Sequence, residues 1–168
     1  PGKKLLFMGG EIGQFDEWSE TRSLDWHLLE YDSHKQLQKF VNDVNELYKK
    51  EPALYKYDFD GRGFEWVSPD DGEESIVSFI RKADNIYDNL IIICNFTPVP
   101  RMEHRVGVNH PGIYEEVLNS DDLSYGGGGI INGGDIRSSN ISWNFRENSV
   151  VIKAPPLGVT ILRLKKSL

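Results

Sequence analysis

Ser75-Ile-Val-Ser-Phe-Ile-Arg-Lys82 and, after a turn-rich gap, Leu90-Ile-Ile-Ile-Cys-Asn-Phe-Thr97 set the architecture of this chain. Both segments are short, apolar and free of the three-and-four spacing of a helix, so they read as strands. Working outward, Phe64 to Val67, Arg105 to Val108, Ile113 to Leu118, Ile141 to Trp143, Ser149 to Ala154 and Val159 to Leu164 read the same way. Asp60-Gly61, Pro69-Asp-Asp-Gly72 and Pro111-Gly112 separate several of them with turn chemistry. About eight short strands with no helix between them argue for an antiparallel sandwich or barrel. Trp66, Phe79, Phe96 and Trp143 fall within these strand patterns and are expected in the core. Tyr125-Gly-Gly-Gly-Gly129 and Asn132-Gly-Gly134 lack the Lys-Ser/Thr ending and following helix of a phosphate loop, and read as a flexible surface loop.

The first third of the chain is organised differently. Leu5 to Met8, closed by Gly9-Gly10, reads as a short strand buried on both faces, as in a parallel sheet. An acidic, aromatic loop runs from Glu11 to Asp32 and is long enough to be functional or to hold short helical turns. From Ser33 to Lys50 the apolar residues Leu37, Phe40, Val41, Val44, Leu47 and Tyr48 fall on one helical stripe. Ser33 with Gln36 predicts a capping box, Lys49 and Lys50 suit the negative end of the dipole, and Pro52 ends the helix. Lys39 with Asp43, and Glu46 with Lys50, are pairs on the wet face.

The totals narrow the class. The 168 residues suffice for one good core plus a piece of another domain, and not for a whole α/β barrel. A net charge of -7 works against a nucleic-acid partner, which would need clustered Lys and Arg, and suits a neutral partner such as a sugar polymer. The one cysteine, Cys94, sits in an apolar run and is expected to be a buried, inert thiol in a reducing compartment. No run approaches the roughly 18 apolar residues of a membrane span, and no basic-then-apolar signal opens the chain. A cytoplasmic location follows as the expectation. The start at Pro1-Gly-Lys-Lys, without an initiator Met, suggests a cut through a larger protein. His27, His34, His104 and His110 are scattered without ligand spacing, so neither a metal nor another cofactor is expected.

An ordered series of motifs narrows the reading further. Lys4-Leu-Leu-Phe-Met-Gly-Gly-Glu-Ile-Gly-Gln14, Glu17-Trp18 and Ser23-Leu-Asp-Trp-His-Leu-Leu29 resemble the end of the catalytic barrel of bacterial 1,4-α-glucan (glycogen) branching enzymes, of the α-amylase superfamily. Glu51-Pro-Ala-Leu54, Gly63-Phe-Glu-Trp66, Asn95-Phe-Thr-Pro-Val-Pro-Arg101 and Tyr125-Gly-Gly-Gly128 resemble the carboxyl-terminal domain of the same enzymes. The resemblance spans Lys4 to Leu164, with Gly10 and Ile12 departing from the Asn or Ser and the larger Phe or Leu that flank Glu11's counterpart.

The resemblance implies a mainly β fold: a Greek-key antiparallel β-sandwich over residues 56–168, preceded over residues 1–55 by the last β/α unit of a (β/α)8 barrel. It implies a parent enzyme that cuts α-1,4 linkages in a glucan and rejoins the piece through α-1,6. Such retaining transfer needs two carboxylates about 5 to 5.5 Å apart. In the family these come from barrel strands before the one that begins here, so no catalytic residue is assigned and the isolated chain is expected to be inactive. Glu11, Trp18, Asp25 and Trp26 are the candidate substrate-binding residues at the barrel rim: an indole face can stack on a pyranose, and a carboxylate can accept from sugar hydroxyls. The expected partners are α-glucan and the missing barrel of the parent chain, and the helix stripe, through Leu37, Phe40, Val44 and Leu47, is expected to pack against the sandwich, against a second copy of the chain, or both. Three rivals stay open: a stand-alone carbohydrate-binding module, a purely structural sandwich, and another α-amylase-superfamily member such as a trehalose-forming hydrolase.

Overall fold

Four consecutive apolar side chains, Leu90 to Ile93, are all buried. Because successive strand residues point to opposite faces, such a run requires cover on both sides of its sheet. The computed structural model, which describes residues 2–71 and 74–167, supplies that cover. Among the described residues the strands are β1 (Phe64–Asp71), β2 (Ile76–Arg81), β3 (Leu90–Asn95), β4 (Arg101–Val108), β5 (Gly112–Asn119), β6 (Ile136–Arg137), β7 (Asn148–Ala154) and β8 (Gly158–Ser167), with one α-helix, α1 (Asp32–Lys50). A six-stranded sheet in the order β1-β2-β3-β8-β5-β6 faces a two-stranded sheet, β4-β7, and the pairings are antiparallel.

Ile91 and Ile93 point inward, joining Ile76, Ile80, Val106, Val108, Val150, Ile152 and Leu162 in the core between the sheets. Leu90 and Ile92 point outward and meet Ala53, Leu118 and Ile161. Onto that second cluster pack Phe40, Val44 and Leu47 of α1, half-buried. The molecule is therefore three layers deep: helix, large sheet, small sheet. In β7, Val150, Ile152 and Ala154 are buried while Val151 and Lys153 are exposed, the alternation of a sheet wet on one side.

Several expectations need correcting. Leu5 to Met8 form no strand, and all four side chains are exposed. A parallel strand is stable only between neighbours, and no described strand pairs with this one. The helix begins at Asp32 with Tyr31 as N-cap and no side-chain bond closing it, so Ser33 lies inside the first turn and the Ser33–Gln36 capping box does not form. Glu46 pairs with Lys49 rather than Lys50, while the Lys39–Asp43 pair forms at 2.6 Å.

Ile141 to Trp143 form no strand either. Trp143 makes a single bridge to Arg146 across a two-residue turn, which leaves no length for a ladder, and the sixth strand is the short Ile136–Arg137 instead. Trp66, Phe96 and Trp143 are exposed rather than core, by 50, 64 and 49 %. Trp66 groups with Phe64 and Phe79 on the outer face of the β1–β2 edge, with ring centroids 4.8 to 6.0 Å apart. Cys94 is half-buried rather than buried, because it lies on the outer side of β3 beside the helix-covered cluster.

Candidate functional site

The loop between residues 9 and 31 is held by a few contacts that its composition does not advertise. Gly9 and Gly13 take positive φ, 83° and 64°, and bracket a 3-10 turn, Gly10–Ile12, that carries Glu11. A side chain at Gly13 would come within 2.7 Å of Leu37 on α1, so only glycine lets the turn sit on the helix this closely. Ile12 is fully buried there, and its carbonyl accepts from or faces His34 Nδ1 at 2.6 Å. A second 3-10 turn, Trp26–Glu30, buries Leu28.

Gln14 joins the two turns. Its Oε1 accepts the Asp25 backbone N–H at 2.9 Å, and its Nε2 donates to the Asp16 carbonyl at 2.9 Å. Asp25 and Trp26 are thereby fixed beside the turn that carries Glu11. Glu11 and Asp25 are half-buried, while Trp26 is 51 % exposed. Trp18 stands apart: its ring meets Phe7 edge-on at 5.9 Å, on the side of the amino-terminal segment. Arg22 reaches back to Asp16 at 3.1 Å across the outer curve of the loop. The structure thus ties the Asp25 backbone, next to Trp26, to Gln14 just after the turn that carries Glu11, and sets Trp18 against Phe7, whose carbonyl accepts the Gly10 N–H of that turn. Gln14 itself was missed, because a single Gln carries no pattern in sequence.

The helix that supports this loop is locked to the sandwich by Tyr125. Its Oη donates to Asp43 Oδ2 at 2.8 Å, its ring meets Phe40 edge-on at 5.2 Å, and Lys39 Nζ lies 4.8 Å over its face. Burial, together with the bond to the Asp43 carboxylate, pushes the Tyr125 phenol up to about 12. The Lys39 ammonium and the Tyr125 hydroxyl hold the Asp43 carboxyl below its ordinary range. The glycine run after Tyr125 is tied down rather than loose. Asp121 accepts the Gly128 and Ile130 N–H groups, both at 2.8 Å, and its carbonyl accepts from Gly129. A second brace is the buried pair Arg81–Asp58, 3.1 Å, which Lys4 and Tyr48 join from the amino-terminal third.

Among the described residues no three His, Cys, Asp or Glu side chains gather as a metal ion would require, and no helix is long and apolar enough to cross a membrane. The arrangement suits contact with a neutral polyol, through exposed indoles and carboxylates fixed on a braced loop.

Comparison with known proteins identifies the family of the chain. Residues 66–165 match the family described as alpha amylase, C-terminal all-beta domain. The chain is 49 % identical over 163 residues to the 1,4-alpha-glucan branching enzyme GlgB of Aquifex aeolicus, covering 97 % of this chain and 26 % of that protein. It is 50 % identical over 165 residues to the enzyme of the same name from Hydrogenovibrio crunogenus, covering 98 % of this chain and 22 % of that protein. For the Oceanobacillus iheyensis enzyme the identity is 44 % over 165 residues, with 98 and 26 % covered. The chain spans about a quarter of the length of the curated relatives it matches. Among solved structures, the MutB D200A mutant in complex with glucose superposes with a TM-score of 0.50 at 13 % identity, over 77 % of this chain and 18 % of that one, a likeness of fold alone.

Proposed function

Since the chain belongs to the alpha-amylase C-terminal all-β domain family, we propose that it serves as the carboxyl-terminal part of a 1,4-α-glucan branching enzyme. In that enzyme α-1,4 linkages are cut and the released chain is transferred to form α-1,6 branches. The observation that carries this reading is the extent of the likeness: 44 to 50 % identity to branching enzymes, running through the loop and helix as well as the sandwich. A free-standing module would have no use for a braced loop and helix upstream of its sandwich.

In this reading residues 1–55 close the catalytic barrel and 56–168 form the supporting sandwich. Leu5 to Met8, exposed here, take their place between neighbouring barrel strands. Glu11, Asp25 and Trp26, with Trp18 on the adjacent edge, contact the glucan at the rim. The nucleophile and acid/base lie elsewhere in the parent enzyme, which acts in the cytoplasm. The test is a chimera in which this chain replaces the matching quarter of the Aquifex aeolicus enzyme. It is expected to form α-1,6 linkages from amylose, and Trp26→Ala is expected to raise KM more than it lowers kcat, as for a residue that binds ground and transition states alike. A folded chimera with no branching activity would refute the reading.

A further inference from the structure

Trp143 is presented to solvent by an unusually constrained piece of backbone. Asn144 and Phe145 both take positive φ, 48° and 60°, as in a type I′ turn, which is a disfavoured state for a bulky aromatic such as Phe145. Trp143 and Arg146 close the turn with reciprocal backbone bonds of 2.9 and 3.0 Å. Asn144 Oδ1 accepts the Gly107 N–H at 3.0 Å, and a Cβ on Gly107 would fall 2.2 Å from the Trp143 carbonyl oxygen, so glycine alone admits the turn against β4. Arg146 is anchored to Glu65 and Asn109, each at 2.6 Å. Strain of this kind persists only where the surroundings over-determine it, and it gathers at sites of function.

What the turn builds is one wall of a groove of about 600 Å3, the size of a small-ligand site. Trp143 and Met102 supply apolar surface, and Ser68, Glu74, Arg101 and His104 supply polar groups. His104 Nδ1 lies 3.3 Å from Glu74 Oε2. Arg101 Nε is buried without a hydrogen-bond partner among the described residues, a donor left open to an acceptor from a ligand.

We propose that this groove is a second contact site for an α-1,4-linked glucan, with Trp143 as the platform on which a pyranose ring stacks and Arg101, His104 and Glu74 as partners of its hydroxyls. The assignment rests on the branching-enzyme reading for the choice of sugar and on the groove for its place. An anion is a poorer guest. Arg105 is bonded to Ser139 and Ser149 at 3.3 and 2.9 Å, His104 faces a carboxylate, and an indole face offers a phosphate nothing. The groove borders β4 of the small sheet, whereas the rim loop rests on α1, outside the large sheet. Two contacts on different layers suit a long polymer better than a short one, because the second engagement of one chain is intramolecular.

The test is affinity electrophoresis of the chain through gels of graded glycogen content, with thermal melts of every variant. Trp143→Ala is expected to weaken glycogen binding about tenfold, the scale of one lost aromatic stack, with Trp143→Phe in between. Phe145→Gly, at the solvent tip of the turn, is expected to bind like the parent chain and to melt no lower. Should Trp143→Ala prove unstable, Arg101→Met carries the test and is expected to weaken binding about threefold. The proposal is overturned if the parent chain is not retarded, if the folded groove variants bind within experimental error of the parent, or if inorganic phosphate displaces glycogen. The assignment to a branching enzyme stands or falls separately, on the activity of the chimera; a parent chain that is not retarded would count against the rim contact as well as the groove, whereas folded groove variants that bind like the parent count against the groove alone.

Discussion

Phe40→Ala probes whether the upstream third of the chain is structurally one with the sandwich. Phe→Ala in a full core costs about 3 to 5 kcal/mol. Phe40 is half-buried against the outer cluster of Leu90, Ile92, Leu118 and Ile161, so roughly half of that, about 2 kcal/mol, is expected. Part of the loss comes through the edge contact with Tyr125, so Tyr125→Phe, which removes only the bond to Asp43, should not be fully additive with it. Alone, Tyr125→Phe is expected to cost about 1 kcal/mol, the lower range for a bond to a charged group, since Asp43 is 34 % exposed. The assay is urea denaturation followed in parallel by far-UV circular dichroism, which reports α1, and by tryptophan fluorescence. Coincident transitions shifted to lower urea are expected. Helix signal lost well before the fluorescence transition, or a Phe40→Ala effect below about 0.5 kcal/mol, would show that α1 is not part of the cooperative unit.

Asp58→Ala should cost about 3 kcal/mol in the same assay, because it leaves the buried Arg81 guanidinium without its carboxylate. Burial opposes the Asp58 charge, but hydrogen bonds from Lys4 and Arg81 outweigh it and hold the carboxyl below its ordinary 3.8. Its stabilisation is therefore complete above that value and is lost as the pH falls through the folded-state pKa, so the Asp58→Ala penalty should shrink on acidification, as thermal melts between pH 5 and pH 2 would show. Cys94 should react slowly with a thiol reagent at neutral pH, since burial pushes its thiol up from the ordinary value and leaves little thiolate. Gly107→Ala should destabilise by about 2 kcal/mol or more, because the clash is with the Trp143 backbone rather than with a side chain that can swing away; a melt within a degree of the parent would contradict the close approach of that turn.

Much of the sandwich was legible because burial leaves a period. The unbroken run Leu90 to Ile93 announces a strand covered on both faces, and the alternation in β7 announces one wet face. Features fixed by distant partners were not legible. Leu5 to Met8 carry a strand's composition, but a strand needs neighbours that pattern alone cannot supply. Ile141 to Trp143 alternate like a strand, yet the turn at Asn144 and Phe145 folds them back at once. The glycine run after Tyr125 reads as loose only until the Asp121 carboxylate is seen to cap two of its N–H groups. The placement of Trp66 was within reach: Val67 is inward, so its strand neighbour faces outward. At the rim, residue type singled out Glu11, Trp18, Asp25 and Trp26, but the bond from the Asp25 backbone to Gln14, which ties the loop back to the turn carrying Glu11, exists only in three dimensions.

The most direct test of the central claim, that this chain is a part of a branching enzyme that does not itself carry the chemistry, is the proton NMR signal of α-1,6 linkages after incubation of the isolated chain with amylose. No such signal above background is expected, because retaining transfer needs a nucleophile and an acid/base and none is assigned to this chain. Branch points that accumulate with time and survive repurification of the chain would contradict the account.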